Sequence, residues 1–166
     1  MPDTESHVKR GHPIFFGLLC FFAIIEGCIT AWLVAKFNDS NDYPSHSVRD
    51  RLRFLVFTSW WTVFFTIFYI VFFFTASASI VASIASHAVW MFITWVFWLA
   101  AIASYTSALG GGQRCSHSDL TYCSQLVAAE AFGWIEWILL TIAFIFVILL
   151  GVGAIRRGDR LSAGLV

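Results

Sequence analysis

Leu126 to Ala154 reads LVAAEAFGWIEWILLTIAFIFVILLGVGA. The stretch is apolar, and it exceeds the roughly 20 helical residues that a bilayer's hydrocarbon core requires. It nevertheless carries two carboxylates, Glu130 and Glu136. A charge at the bilayer centre costs between about 3 and well over 10 kcal/mol. Such a helix must turn its acidic side toward other helices, so this stretch predicts a membrane bundle rather than a lone anchor.

Three earlier stretches supply the partners. They run over residues 14–37, 53–74 and 80–107, with the last span at 126–154. The expected fold is all-α, an integral-membrane antiparallel four-helix bundle of M-shaped topology. The four-span domain then covers 14–155, between a polar tail at 1–13 and a short basic tail at 156–166. Composition agrees. Of 166 residues, 59% are hydrophobic and only 12% charged, where soluble domains average about 25% charged. No separate soluble domain is expected within these residues. Ten basic and ten acidic residues balance, which gives no electrostatic footing for a nucleic-acid partner. The first apolar run is too long for a cleavable signal, so it is expected to stay as an anchor.

The connections are short. Pro13 is expected in the first turn of the first helix, where the missing N–H is harmless. Asn38 to Ser47 (NDSNDYPSHS) is rich in turn formers and includes the sequon Asn38-Asp39-Ser40. Ser47-Val48-Arg49-Asp50 resembles a capping box, placing the start of the second helix near Val48. Thr75 to Ser79 reads as a minimal hairpin. Leu109 to Gln125 is the longest loop; its three glycines predict a flexible start. Cys115 and Cys123 lie in it, and a pair in a short non-membrane loop predicts a local disulfide in an oxidising compartment. Cys20 and Cys28 sit inside the first span and read as small apolar packers.

Several span residues invite two readings. Trp60 and Trp61 lie deeper than an interfacial belt and read as packing or lipid contacts. The third span repeats small residues at a spacing of four: Ala78, Ala82 and Ser86; Ser79 and Ser83; Ala100 and Ser104. That spacing permits close helix approach in lipid. His87 reads as a packing member of an intramembrane polar network, since no second His or Cys stands at metal-ligand spacing. Neither a metal nor a cofactor is expected, and no HExxH, GxSxG, P-loop or CxxC motif is present.

Orientation does not follow from a count of cations. Lys9, Arg10, Arg156, Arg157 and Arg160 on the terminal side balance Lys36, Arg49, Arg51, Arg53 and Arg114 on the loop side. The cysteine pair prefers the outside, so both termini are expected in the cytosol, where the five terminal cations would meet lipid head groups. In that frame Glu26 and Glu136 fall near the midplane. Glu130 falls nearer the outer face, at the depth of Arg53, and the expected ion pair is Glu130 with Arg53. Arg49 and Arg53 share a helix face, and the first reading is that both snorkel to head groups; the sharper one turns Arg53 inward to that pair. Glu26 and Glu136 have no cation at their depth. They would serve either as a buried network that fixes helix pairing or as part of an ion path.

The basic N-terminus, RDRLRFLVFTSWWTVFF (Arg49 to Phe65), the small-residue third span, the two-cysteine loop and AAEAFGWIEWILL (Ala128 to Leu140) together resemble the MARVEL-domain family, particularly its fungal members. The resemblance covers about 13–155. It implies an M-shaped bundle with cytosolic ends, a non-enzymatic role in lipid microdomains, membrane apposition and vesicle traffic, and residence in the plasma membrane or secretory and endosomal vesicles. Arg53, Glu130 and Glu136 are the positions it carries over. Self-association and contact with membrane lipid, including sterol or sphingolipid, are the expected partnerships. Two rival functions stand beside it. One is a small proton- or ion-coupled transporter or channel using Glu26, Glu136 and His87. The other is a junction-type adhesion tetraspan, which the first loop is too short to favour.

Overall fold

The computed structural model describes residues 3–41, 43–75, 84–111, 115 and 120–156. The described residues form four helices: α1 (Asp3–Ser40), α2 (His46–Thr75), α3 (Ile84–Leu109) and α4 (Cys123–Arg156). Each is long and apolar enough to cross a membrane, over Ile14–Ser40, His46–Val71, Ala88–Leu109 and Cys123–Gly153. Neighbours pack in a ring, with α1 against α2 and α4, and α3 against α2 and α4. Successive helices are antiparallel, so both chain ends share one end of the bundle, the terminal end; the connections α1–α2 and α3–α4 share the other, the loop end.

The inward residues repeat in strict alternation of three and four. On α1 they are Phe16, Leu19, Ala23, Glu26, Thr30, Leu33 and Phe37. On α4 they are Leu126, Ala129, Gly133, Glu136, Leu140, Ala143 and Val147. A period of 3.5 residues keeps one seam of each helix facing its partners, the geometry of left-handed bundles. Two glycines bring helices close. A Cβ at Gly27 would meet the Ser59 Cβ of α2 at 3.3 Å, and one at Gly133 would meet the Ile102 Cδ1 of α3 at 2.6 Å. The α3 repeat expected from small residues is not the seam: Ala100 is exposed and Ser104 half-buried. Trp98, Ala101 and Tyr105 face inward instead. Ala78, Ser79, Ala82 and Ser83 lie outside the described residues, as does most of the expected 75–79 hairpin.

Helix ends follow local chemistry. Ser45, not Ser47, caps α2: its Oγ accepts the Val48 N–H at 3.1 Å. The third helical position is then Val48, which cannot complete a capping box, and Asp50 pairs with Arg49 at 3.1 Å. At the end of α3, Gly110 N–H donates to Ser107 O (3.2 Å) and Gly111 N–H to Thr106 O (2.9 Å). With φ of 86° and 75° at the two glycines, this is a Schellman stop. Gly110 and Gly111 therefore terminate the helix, and the third glycine of the expected flexible start, Gly112, lies outside the described residues. Asn41 ends α1 in the same left-handed region, at φ 51°.

α1 starts at Asp3, ahead of the expected position, so Pro13 lies within the helix rather than in its first turn. The bond that proline cannot make is to the carbonyl of Lys9. That carbonyl precedes the apolar run, where water can take the missing donor's place.

Candidate functional site

Most polar side chains that the spans bury carry a hydroxyl. Thr30, Ser59, Thr62 and Thr66 donate to the carbonyls of Glu26 (2.7 Å), Leu55 (2.8 Å), Thr58 (2.9 Å) and Thr62 (2.6 Å) on their own helices. This local bonding uses the single O–H of each group. Of these four, Thr62 also accepts an indole N–H from a neighbouring helix, as do the hydroxyls of Thr94, Thr106 and Thr141. Trp61 of α2 donates to Thr94 of α3 at 3.1 Å, and Trp98 of α3 to Thr62 of α2 at 2.9 Å. Trp95 of α3 donates to Thr141 of α4 at 2.8 Å, and Trp134 of α4 to Thr106 of α3 at 3.1 Å. Four Trp–Thr clasps thus join α3 to both neighbours. Trp61 is a packing residue, as expected, while Trp60 lies 47% exposed on the lipid-facing side.

Glu26 and Glu136 project from adjacent helices into the same interior. Both are 0% exposed, and each lies within electrostatic range of the other. None of their four carboxylate oxygens has a hydrogen-bond partner among the described residues. Glu130, one residue beyond the inward position Ala129, is buried toward the loop end. Tyr105, whose hydroxyl donates to the Leu126 carbonyl at 3.1 Å, lies within electrostatic range of both Glu26 and Glu130.

Arg53 does not join this group, which corrects the expected Glu130–Arg53 pair. It is exposed and donates to Asn38 Oδ1 at 3.4 Å. The reason is helical phase. Leu52 and Leu55 occupy the inward positions of α2, so a side chain at 53 points away from the seam. Asn38 Oδ1 also accepts the Tyr43 hydroxyl at 3.0 Å. Both bonds engage the one sequon side chain within a helix, an arrangement unsuited to glycosylation. His87 belongs to the first turn of α3, and its side chain lies outside the described residues. The same holds for the side chains of Lys9, Arg10 and Arg156; Arg157 and Arg160 lie beyond the described chain.

The loop end is tied by chemistry and by rings. Cys115 and Cys123 form a disulfide with Cα atoms 5.7 Å apart, fastening the α3–α4 connection to the first residue of α4. Beside it Tyr122 holds a left-handed φ of 59°. Its ring packs on Trp32 and Phe37 of α1, with centroids 5.1 and 5.7 Å away. Among the described residues no group of three or more His, Cys, Asp or Glu could hold a metal ion.

Four apolar crossings, a ring of antiparallel neighbours and a polar interior define a tetraspan membrane bundle. The profile of the MARVEL family, described as a membrane-associating domain, matches residues 10–146. The chain belongs to that family. Neither a curated protein nor a solved structure matches it.

Proposed function

We propose that this protein is a non-enzymatic membrane organiser that self-associates and sorts the lipid around it. The observation that carries the reading is the outer surface. Large apolar side chains face outward along all four helices, among them Phe21, Phe57, Phe64, Phe92 and Phe146. In a bilayer these contact lipid chains or another copy. The buried hydroxyls and carboxylates of the spans are turned inward. What the protein offers its surroundings is therefore a broad aromatic and aliphatic belt. Both termini are placed in the cytosol, with the disulfide on the oxidising side of a plasma, secretory or endosomal membrane.

The test is extraction in native membrane particles, followed by particle mass and lipid composition. A discrete oligomer enriched in sterol or sphingolipid is the expected result. A monomer carrying unselected lipid overturns the reading.

The second reading, ion-coupled transport, rests on the unpartnered carboxylates. It predicts a pH-dependent flux into proteoliposomes that Glu136→Gln abolishes.

A further inference from the structure

We propose that Glu26 and Glu136 form an intramembrane site for a monovalent cation, taken from water as a proton or as an alkali ion. The argument is an inventory of donors. The pair presents four buried carboxylate oxygens and no partner for any of them among the described residues. Buried polar groups in folded proteins are almost always bonded. Nearby hydroxyls cannot serve, because Thr30, Ser59, Thr62 and Thr66 have given their only hydrogen to backbone carbonyls. The Tyr105 hydroxyl is committed to Leu126 O, and the Trp98 N–H to Thr62.

Charge points the same way. Among the described residues, the buried charged groups of α1 and α4 are the acids Glu26, Glu130 and Glu136. The titratable groups buried on the inward faces of α2 and α3 are Tyr69 and Tyr105. Arg53, the basic residue placed nearest in the sequence frame, is exposed and bonded to Asn38. The His87 side chain is outside the described residues. Two carboxylates in electrostatic range at the middle of a bilayer cannot both stay ionised without a compensating positive charge. The indole N–H of Trp137, next to Glu136 on α4, is likewise buried without an acceptor. Among the described residues the donor set has two carboxylates and no third acidic, His or Cys ligand, which suits a single positive charge better than a divalent metal.

The test uses the full chain in lipid nanodiscs, beside Glu26→Gln, Glu136→Gln and the double variant. Infrared spectra at neutral pH read the proton. A carboxylic-acid carbonyl band that shifts in D2O and disappears in the double variant shows that a proton fills the site. Melting temperature reads the alkali ion. An increase when NaCl or KCl replaces choline chloride at fixed ionic strength, lost in the double variant, shows that a metal cation fills it. Either result supports the site and names its occupant. The proposal falls if the wild type gives neither signal. It also falls if a water-soluble carbodiimide modifies Glu26 and Glu136 as fast as the exposed Asp39 and Asp50. Gln preserves the shape of the acid; should the double variant misfold, the two single variants carry the same readouts. Particle mass and lipid content are independent of this outcome.

Discussion

The two sides of the bundle are held by different chemistry. Around α3, indole and hydroxyl groups interlock: four Trp–Thr bonds at 2.8–3.1 Å tie it to α2 and α4. Around α1, the described side-chain hydrogen bonds to the rest of the chain cluster at the loop end, on Asn38 and the Val34 carbonyl. Within the membrane α1 relies on close packing at Gly27 and carries Glu26 unpartnered. Apart from the Trp90 N–H, which is buried without a partner among the described residues, the α3 side is bonded through these clasps, whereas the α1–α4 seam leaves four carboxylate oxygens unpartnered. In lipid the hydrophobic effect does not drive helices together, so packing and interhelical hydrogen bonds decide which seams are firm. By that measure α3 is the fixed part of the fold, and α1–α4 is the seam available for chemistry.

The largest effect should come from breaking the fixed side at its centre. Trp98 is fully buried and donates to Thr62. Trp98→Ala removes both volume and clasp and is expected to cost about 3–5 kcal/mol, read as a loss of stability against denaturing detergent. Removing the acceptor alone is milder. Thr62→Val leaves the Trp98 N–H buried without a partner, a cost of about 1–3 kcal/mol. Equal losses for the two variants would mean that the hydrogen bond, not the ring, holds α3.

Close packing sharpens the comparison next. At Gly133 an added Cβ would lie 2.6 Å from the Ile102 Cδ1 and 3.2 Å from its Cγ1. Overpacking of this kind costs typically about 1–3 kcal/mol. Gly133→Ala should therefore destabilise the α3–α4 contact, and Ile102→Val, which removes the nearest carbon, should restore part of the loss. Gly27→Ala meets Ser59 Cβ at 3.3 Å and should cost less. If Gly27→Ala costs more than Gly133→Ala, the α1 side is the stiffer one and the comparison is reversed.

Much of this was legible in the sequence, and the part that was not has a physical reason. Four apolar stretches and their acids gave the number of spans and the common depth of Glu26 and Glu136. The cysteine spacing gave the loop bridge. The inward seam was not read, because a membrane helix is apolar on its lipid face as well as its packed face. Apolar periodicity is then silent. The signal lay in the polar minority. Glu26 and Thr30 are four apart; Ser59, Thr62 and Thr66 step by three and four; Glu136 continues the phase of Ala129 and Gly133. Read as the inside, those residues give the 3.5-residue seam and place Arg53 off it. The Trp–Thr clasps needed the same inversion, since each joins a threonine and a tryptophan on different helices.

The smallest effect concerns that misplaced arginine, and it separates rim from interior. Arg53 is exposed, and its bond to Asn38 is long at 3.4 Å. Pairs of this kind at an exposed rim contribute about 0–1 kcal/mol. Arg53→Ala is therefore expected to change stability little. Glu130→Gln alters a buried group within electrostatic range of Tyr105. With no shared partner, the two changes should be additive within about 0.5 kcal/mol. A double-mutant cycle on detergent-induced unfolding measures this directly. Coupling well above that level would return Arg53 to the interior and give the α4 seam the cation it lacks here. The proposed cation site would then have a competitor within the chain itself.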